Sequence, residues 1–218
     1  MRLASKFLIL IALAALMVPV AVMADPISGT GSLGSFTGTF DYVATDSGNA
    51  TLTITLTNTS PAANGGFITG FAFNNPSDLI SGVALTQDNG FDLLWDNDAI
   101  NGQPYGQFDI GAALGGNLEG GGNPNDGIPV GDTWTFIFEF TGTDLDTLSE
   151  SDFFNTWSVE GSSSAAFLVR FRGFEDGGSD KVPGTPDNPP PVPEPASLLL
   201  MGTGLTTLAG ILRRKTAK

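Results

Sequence analysis

The residues with the most evident chemistry are oxygen donors. The run Asp96-Asn97-Asp98-Ala99-Ile100-Asn101-Gly102 places two carboxylates and two amides ahead of a turn glycine. Calcium takes about six to eight oxygen ligands of these types, so Asp96, Asp98 and Asn101 are candidate metal ligands. The spacing departs from an EF-hand loop. Ile100 stands at the fifth position, where an oxygen is needed, and no Glu stands at the twelfth. Asn123-Pro124-Asn125-Asp126-Gly127 is a second, weaker candidate, and a solvated turn accounts for either segment. Trp95, Tyr105 and Trp157 sit near polar loops, where a flat ring could serve as a platform for sugar rings. Glycoside hydrolysis needs two carboxylates held across a cleft. With 23 acidic residues some such pair arises by chance, so it identifies nothing.

The chain has no cysteine and no histidine. That excludes disulfides, thiolate nucleophiles, Ser-His and Cys-His dyads, and imidazole- or thiolate-bound metals. No Gly-x-Ser-x-Gly elbow, phosphate loop or metalloprotease helix motif is present. The sequence therefore holds no catalytic constellation, and the expectation is a protein that is not an enzyme. Charge narrows the partners. All 23 acids lie between Asp25 and Glu194, against Arg170, Arg172 and Lys181, a net of −20 for that stretch. Phosphate binding needs clustered Lys and Arg, so a nucleic-acid partner is excluded.

Both ends of the chain are apolar. Arg2 and Lys6 precede the run from Phe7 to Val22, Pro19 interrupts it, and Val22-Met23-Ala24 follows. This is the layout of a secretory signal peptide over residues 1–24, with cleavage after Ala24. There is no twin-arginine pair, which favours the general secretory route. At the other end, Pro193-Glu194-Pro195 leads into an apolar stretch over about 196–212, followed by Arg213, Arg214 and Lys215. The stretch is just long enough to cross a thin bilayer as a helix. Gly202, Gly204 and Gly210 suit close helix contacts in lipid. The basic cluster resists translocation and holds the tail at the cytoplasmic side. Pro189, Pro190, Pro191, Pro193 and Pro195 keep the approach extended, which presents Glu194 beside the membrane.

The run from Val192 to Lys215, Pro-Glu-Pro motif first, then apolar helix, then basic cluster, resembles the PEP-CTERM sorting signal of exopolysaccharide-producing Gram-negative bacteria. The resemblance covers about a tenth of the chain. It implies recognition and processing by an exosortase in the inner membrane, with Pro193, Glu194 and Pro195 as the sorting motif and Arg213, Arg214 and Lys215 as the basic stop. It also implies an inner-membrane intermediate followed by delivery to the cell surface or extracellular matrix. The segment from Val169 to Phe174, followed by Asp176 to Val182, is similar to the last strand and Gly-Ser-Asp tail that precede the signal in many such proteins.

What must position the body's residues is strand. Leu52, Ile54 and Leu56 alternate with threonines; Trp134, Phe136, Phe138 and Phe140 share one face; Phe167, Val169 and Phe171 oppose Arg170 and Arg172. Period two marks half-buried strands. Shorter strands are expected at Ser35–Ala44, Gly66–Phe73, Val83–Thr86 and Gln107–Ala112, separated by Gly, Asn, Asp and Pro clusters. Phe71, Phe73, Trp134, Phe136, Phe138 and Phe140 are expected in the core. Only Asp144 to Asn155 could hold a helical turn or two. The expected architecture is one all-β domain over 25–182, a β-sandwich or jelly roll, followed by a Pro-rich linker over 183–192 and the sorting signal over 193–218.

The function expected is that of an exported structural or adhesive protein associated with the extracellular polysaccharide matrix or cell surface. The alternative is a carbohydrate-binding module, aided by calcium if the Asp96 segment binds it. A secreted hydrolase using carboxylates alone is the remote case. One outcome follows from the N-terminal pattern. Edman sequencing or intact mass of the exported chain should place its first residue at Asp25; an exported chain that begins at Met1 would show that the apolar run is not removed.

Overall fold

The computed structural model describes residues 24–187. The residues before Ala24 that the sequence pattern assigns to a signal peptide, the sorting motif, the apolar stretch after it and the basic cluster lie outside the described residues. The chain folds into strands β1 (Asp25–Thr30), β2 (Ser35–Asp46), β3 (Asn49–Asn58), β4 (Gly65–Phe73), β5 (Ile80–Gln87), β6 (Asp92–Asn101), β7 (Gln107–Ala113), β8 (Ile128–Pro129), β9 (Thr133–Gly142), β10 (Phe167–Phe174) and β11 (Ser179–Pro186). The one described α-helix, α1, spans Glu150–Asn155. No helix among the described residues is long and apolar enough to cross a membrane.

All strand pairings are antiparallel, and they form one hydrogen-bonded path, β5-β9-β3-β2-β1-β11-β10-β4-β7-β6, with β8 beside β4. The all-β expectation holds. The arrangement differs from two separate sheets, because β1 and β11 join the halves through Ile27↔Pro186 and Ser28↔Thr185. The path therefore bends back on itself as a near-barrel. Rings far apart along it meet across the interior: Phe71 and Phe136 have centroids 4.8 Å apart, Phe73 and Phe138 5.4 Å, Phe40 and Phe73 5.9 Å.

Strand β3 shows how sequence sets this. Leu52, Ile54 and Leu56 are buried, and the intervening threonines face outward. Thr55 and Thr57 pair across to Thr135 and Thr133 of β9, with hydroxyls 3.3 and 2.7 Å apart. Asp46 shapes the turn before β3 by accepting from the Gly48 N–H at 2.7 Å and the Asn49 amide at 3.0 Å. The expected aromatic core is present. Phe71, Phe73, Phe136, Phe138 and Phe140 are fully buried, and Trp134 is half-buried against them. The segment expected to hold a helical turn contains a 3-10 turn and α1, whose Ser149 and Asp152 form a capping box. Phe153 and Phe154 of α1 pack on Phe40 with centroids 5.2 and 5.0 Å away.

In the second half of the path β4 and β7 are buried on both faces. Ala72, Leu94, Phe108, Ala113, Leu118, Ala165 and Leu168 form a second apolar cluster, separate from the main core. This explains why β4 and β7 do not alternate and why they carry small residues. A Cβ on Gly70 would lie 2.8 Å from that of Ala113 and 3.1 Å from Leu118 Cδ1, so only glycine admits the loop that covers this face.

Strand β11 runs past residue 182. Residues 183–186, placed in the linker by their prolines, belong to β11. Proline is tolerated there because each part of β11 pairs on one side only, Ser179–Gly184 with β10 and Thr185–Pro186 with β1. Strands β1, β6, β8 and β11 went unrecognised in the pattern, each for want of clean alternation.

Phe40 of β2 touches the rings of Phe73 and Phe167 from the other half of the path and of Phe153 and Phe154 from α1. Phe40→Ala should destabilise the domain by about 3–5 kcal/mol in denaturant titration. Val43→Ala on the same strand, half exposed, should change it by less than about 0.5 kcal/mol.

Candidate functional site

Asp96, Asp98 and Asn101 lie within strand β6, at an edge of the sheet path, and not in a free loop. Trp95 pairs with Ile110 and Ile100 with Phe108, so Asp96, Asn97, Asp98 and Ala99 stand opposite Asp109 alone. The strand bulges there, and a bulge of this kind re-aims side chains. Asp98 takes a left-handed conformation (φ 50°) and donates its N–H to Asp109 Oδ1 at 2.6 Å. Asp109 Oδ2 accepts the Asn75 N–H at 2.8 Å. One buried carboxylate thus ties the bulge to the end of β4. Burial pushes the Asp109 carboxyl up from its ordinary value, against the opposing pull of the two N–H groups, with the Asp98 and Asp78 charges adding a smaller upward push.

The bulge forms one wall of a groove of about 380 Å³. Trp95, Asp96 and Asn101 line it from β6, Asn117 and Leu118 from the opposite loop, and Leu94 and Ile100 supply a buried apolar floor. Gly115 and Gly116 have φ of 71° and 67°, which turns the chain after β7 back toward β6. Basic side chains hold the rest of that loop on the sheet. Arg172 donates to the Gly121 and Gly122 carbonyls, Arg170 to the Glu119 carbonyl at 3.3 Å, and Lys181 pairs with the Glu119 carboxylate. These three cations are the only Lys or Arg among the described residues, and all three serve the loop that walls the groove.

Of the residues that sequence singled out, the groove gathers Trp95, Asp96 and Asn101. Asp98 is engaged with Asp109. Tyr105 lines a separate shallow depression of about 290 Å³ with Gln103, Arg170 and Lys181. Trp157 is 56 % exposed and lines neither. The three aromatics thus do not form one platform. Asn101 Oδ1 accepts the Gln103 N–H at 3.1 Å, and no three acidic side chains come together around a metal-sized position among the described residues. In the other candidate loop, Asn123 Oδ1 caps a 3-10 turn by accepting from the Asn125 N–H at 3.3 Å. Sequence reasoning missed Asp109 and Asn117. Asp109 sits in the apolar run from Phe108 to Leu114, where a lone carboxylate signals a buried acceptor.

The family profile described as PEP-CTERM protein-sorting motif matches residues 191–215. The chain carries that motif, and with it the signal of an exported protein processed by an exosortase. No curated protein and no solved structure gives a match.

The raised pKa of Asp109 has a defined sign. The folded state holds this proton more tightly than the unfolded chain, so stability falls as pH rises from the ordinary 3.8 through the raised value. Asp25 shifts the same way, by burial and the Glu150 charge, whereas the exposed Asp46 is lowered by its turn hydrogen bonds and acts only as pH falls below 3.8. As pH rises above the ordinary 3.8, the wild type should lose thermal stability more steeply than Asp109→Asn. Parallel slopes in a melting series would place the titration elsewhere.

Proposed function

We propose that the mature chain is a structural or adhesive component of the cell surface or extracellular polysaccharide matrix, released to it by exosortase processing. The sorting motif at residues 191–215 is the observation that carries this reading. The body suits that destination. The near-barrel has a core that needs no disulfide and an excess of carboxylates that keeps it soluble. In keeping with a non-catalytic role, the β6 groove is lined by one carboxylate, Asp96, and the depression at Tyr105 by one, Asp180. Hydrolysis of a glycosidic bond would need two facing acids. A carbohydrate-binding role is favoured by one observation, the tryptophan beside free polar groups in the β6 groove.

Processing rests on the physical chemistry of the tail. The apolar stretch inserts, and Arg213, Arg214 and Lys215 each resist the bilayer core by about 2.5–3.5 kcal/mol on insertion scales. The chain stays tethered until a membrane enzyme acts near Pro193-Glu194-Pro195. Glu194 is the only charge between Asp187 and Arg213. In a host that has an exosortase, Glu194→Ala should accumulate as an uncut form in the inner membrane, heavier than the mature form by about the tail. The wild type should fractionate with the surface or medium. Equal processing of the two would show that Glu194 is not the recognised charge, and a wild type retained in the inner membrane would overturn the proposed destination.

A further inference from the structure

We propose that the groove between the β6 bulge and the loop after β7 binds a neutral, hydroxyl-rich glycan, with Trp95 as the stacking face. The inference rests on the reading of the body as a matrix component and names the chemistry of its contact. Four features converge on it.

The first is the ring. Trp95 is 37 % exposed on an edge strand, although Leu94, Ile100 and Phe108 nearby are buried in the second apolar cluster. An indole face left open beside an apolar floor of Leu94 and Ile100 suits the C–H face of a pyranose. The second is the polar set. Asn101 Oδ1 accepts from the Gln103 N–H at 3.1 Å, and Asn117 Oδ1 from the Glu119 N–H at 2.8 Å. Each amide is thereby oriented by its own backbone, and its NH₂ has no partner among the described residues. The Asp96 carboxylate likewise makes no hydrogen bond there. The groove so offers two oriented donors and one strong acceptor beside a flat apolar face, which complements hydroxyls that both donate and accept.

The third is charge. The three cations of the body are turned to the loop carbonyls and to Glu119, and the groove itself contains a carboxylate. An anionic polymer would meet Asp96 and a strongly negative body with no cation to pair it, so the ligand is neutral. The fourth is placement and size. A volume of about 380 Å³ is at the small end for ligand sites and fits a short stretch of sugar. Because β6 ends the sheet path, a longer polymer can continue past the groove on either side.

The test uses the full chain, solubilised in detergent, so that the result does not depend on processing or destination. Titration calorimetry would be run with cellohexaose, mannohexaose and isomaltohexaose as neutral probes and with hexagalacturonate as the anionic one. At least one neutral hexasaccharide should bind. Trp95→Ala should weaken it by about tenfold or more, the loss expected when an aromatic anchor is truncated. Asn117→Ala should weaken it in the same direction, and Trp157→Ala, which removes a more exposed indole outside the groove, should leave it unchanged. Circular dichroism melts of the variants would establish that each is folded. Absence of binding to every neutral probe at millimolar concentration, equal binding by wild type and folded Trp95→Ala, or preference for hexagalacturonate would each overturn the proposal. A groove that fails this test leaves the sorting result untouched, and a chain that is not processed leaves the groove result untouched.

Discussion

The interleaving of phenylalanine rings between the two halves of the sheet path is the contact on which the rest depends. Phe71 and Phe73 from β4 meet Phe136 and Phe138 from β9, strands that share no hydrogen bond and lie near opposite ends of the path. Phe40 and Phe167 add rings from β2 and β10. Among the described strands, only the short β1–β11 pairing joins the halves within the sheet path. Without the rings the path would be an open, twisted sheet with one face of each half in water. Burial of these faces is what bends it, at about 25 cal/mol for each Å² of apolar surface removed from water.

Closure creates polar obligations at the rims, and buried amides and one carboxylate meet them. Asn58 donates to the Gly66 and Ile128 carbonyls at 3.1 and 2.9 Å and accepts from the Ser60 N–H at 3.1 Å, which joins the ends of β3, β4 and β8. Asn75 exchanges two hydrogen bonds with Ile80, at 2.9 and 3.0 Å, and fixes the turn between β4 and β5. Asp109 extends the same scheme to the β6 bulge. A buried group left unpaired costs about 1–3 kcal/mol, so each of these side chains specifies a turn as well as filling space. The Tyr42 hydroxyl belongs to the set. It donates to the Leu145 carbonyl at 2.8 Å, and burial, with the Asp146 and Glu150 charges, pushes its pKa up to about 12.

The few cations gain meaning from this frame. A body so rich in carboxylates could have used Arg170, Arg172 and Lys181 in surface ion pairs of little worth. Instead they face the Gly-rich loop after β7, where backbone carbonyls otherwise lack donors. Lys181 and Glu119 make the one salt bridge among the described residues, and Arg170 and Lys181 are cross-strand neighbours. The loop so held covers the second apolar cluster and walls the β6 groove. Charge, covering loop and groove are one arrangement, while the sorting motif lies outside it at residues 191–215.

Local pattern was enough wherever one physical period governs a segment. The alternation in β3, β9 and β10 placed their buried faces, because a strand with one face in water must repeat every second residue. The Pro-Glu-Pro, apolar and basic order at the C-terminus was legible for a similar reason, since a bilayer reads length, hydropathy and charge along the chain. Strands β4, β6 and β7 were less transparent. The first and last are buried on both faces, which erases alternation, and β6 carries a bulge whose Asp-Asn-Asp run has the composition of a turn. That Trp95 and Asn117 share a groove, that Asp98 serves Asp109, and that Tyr105 and Trp157 stand apart from Trp95 depend on segments distant in sequence packing on one sheet face. Composition and periodicity thus determined strands β2 to β5, β7, β9 and β10, the core rings and the sorting tail of this chain. Which polar side chains became ligand-facing and which became internal pins was decided by the tertiary structure alone, because that choice turns on which backbone donors remain unpaired once the sheet has closed.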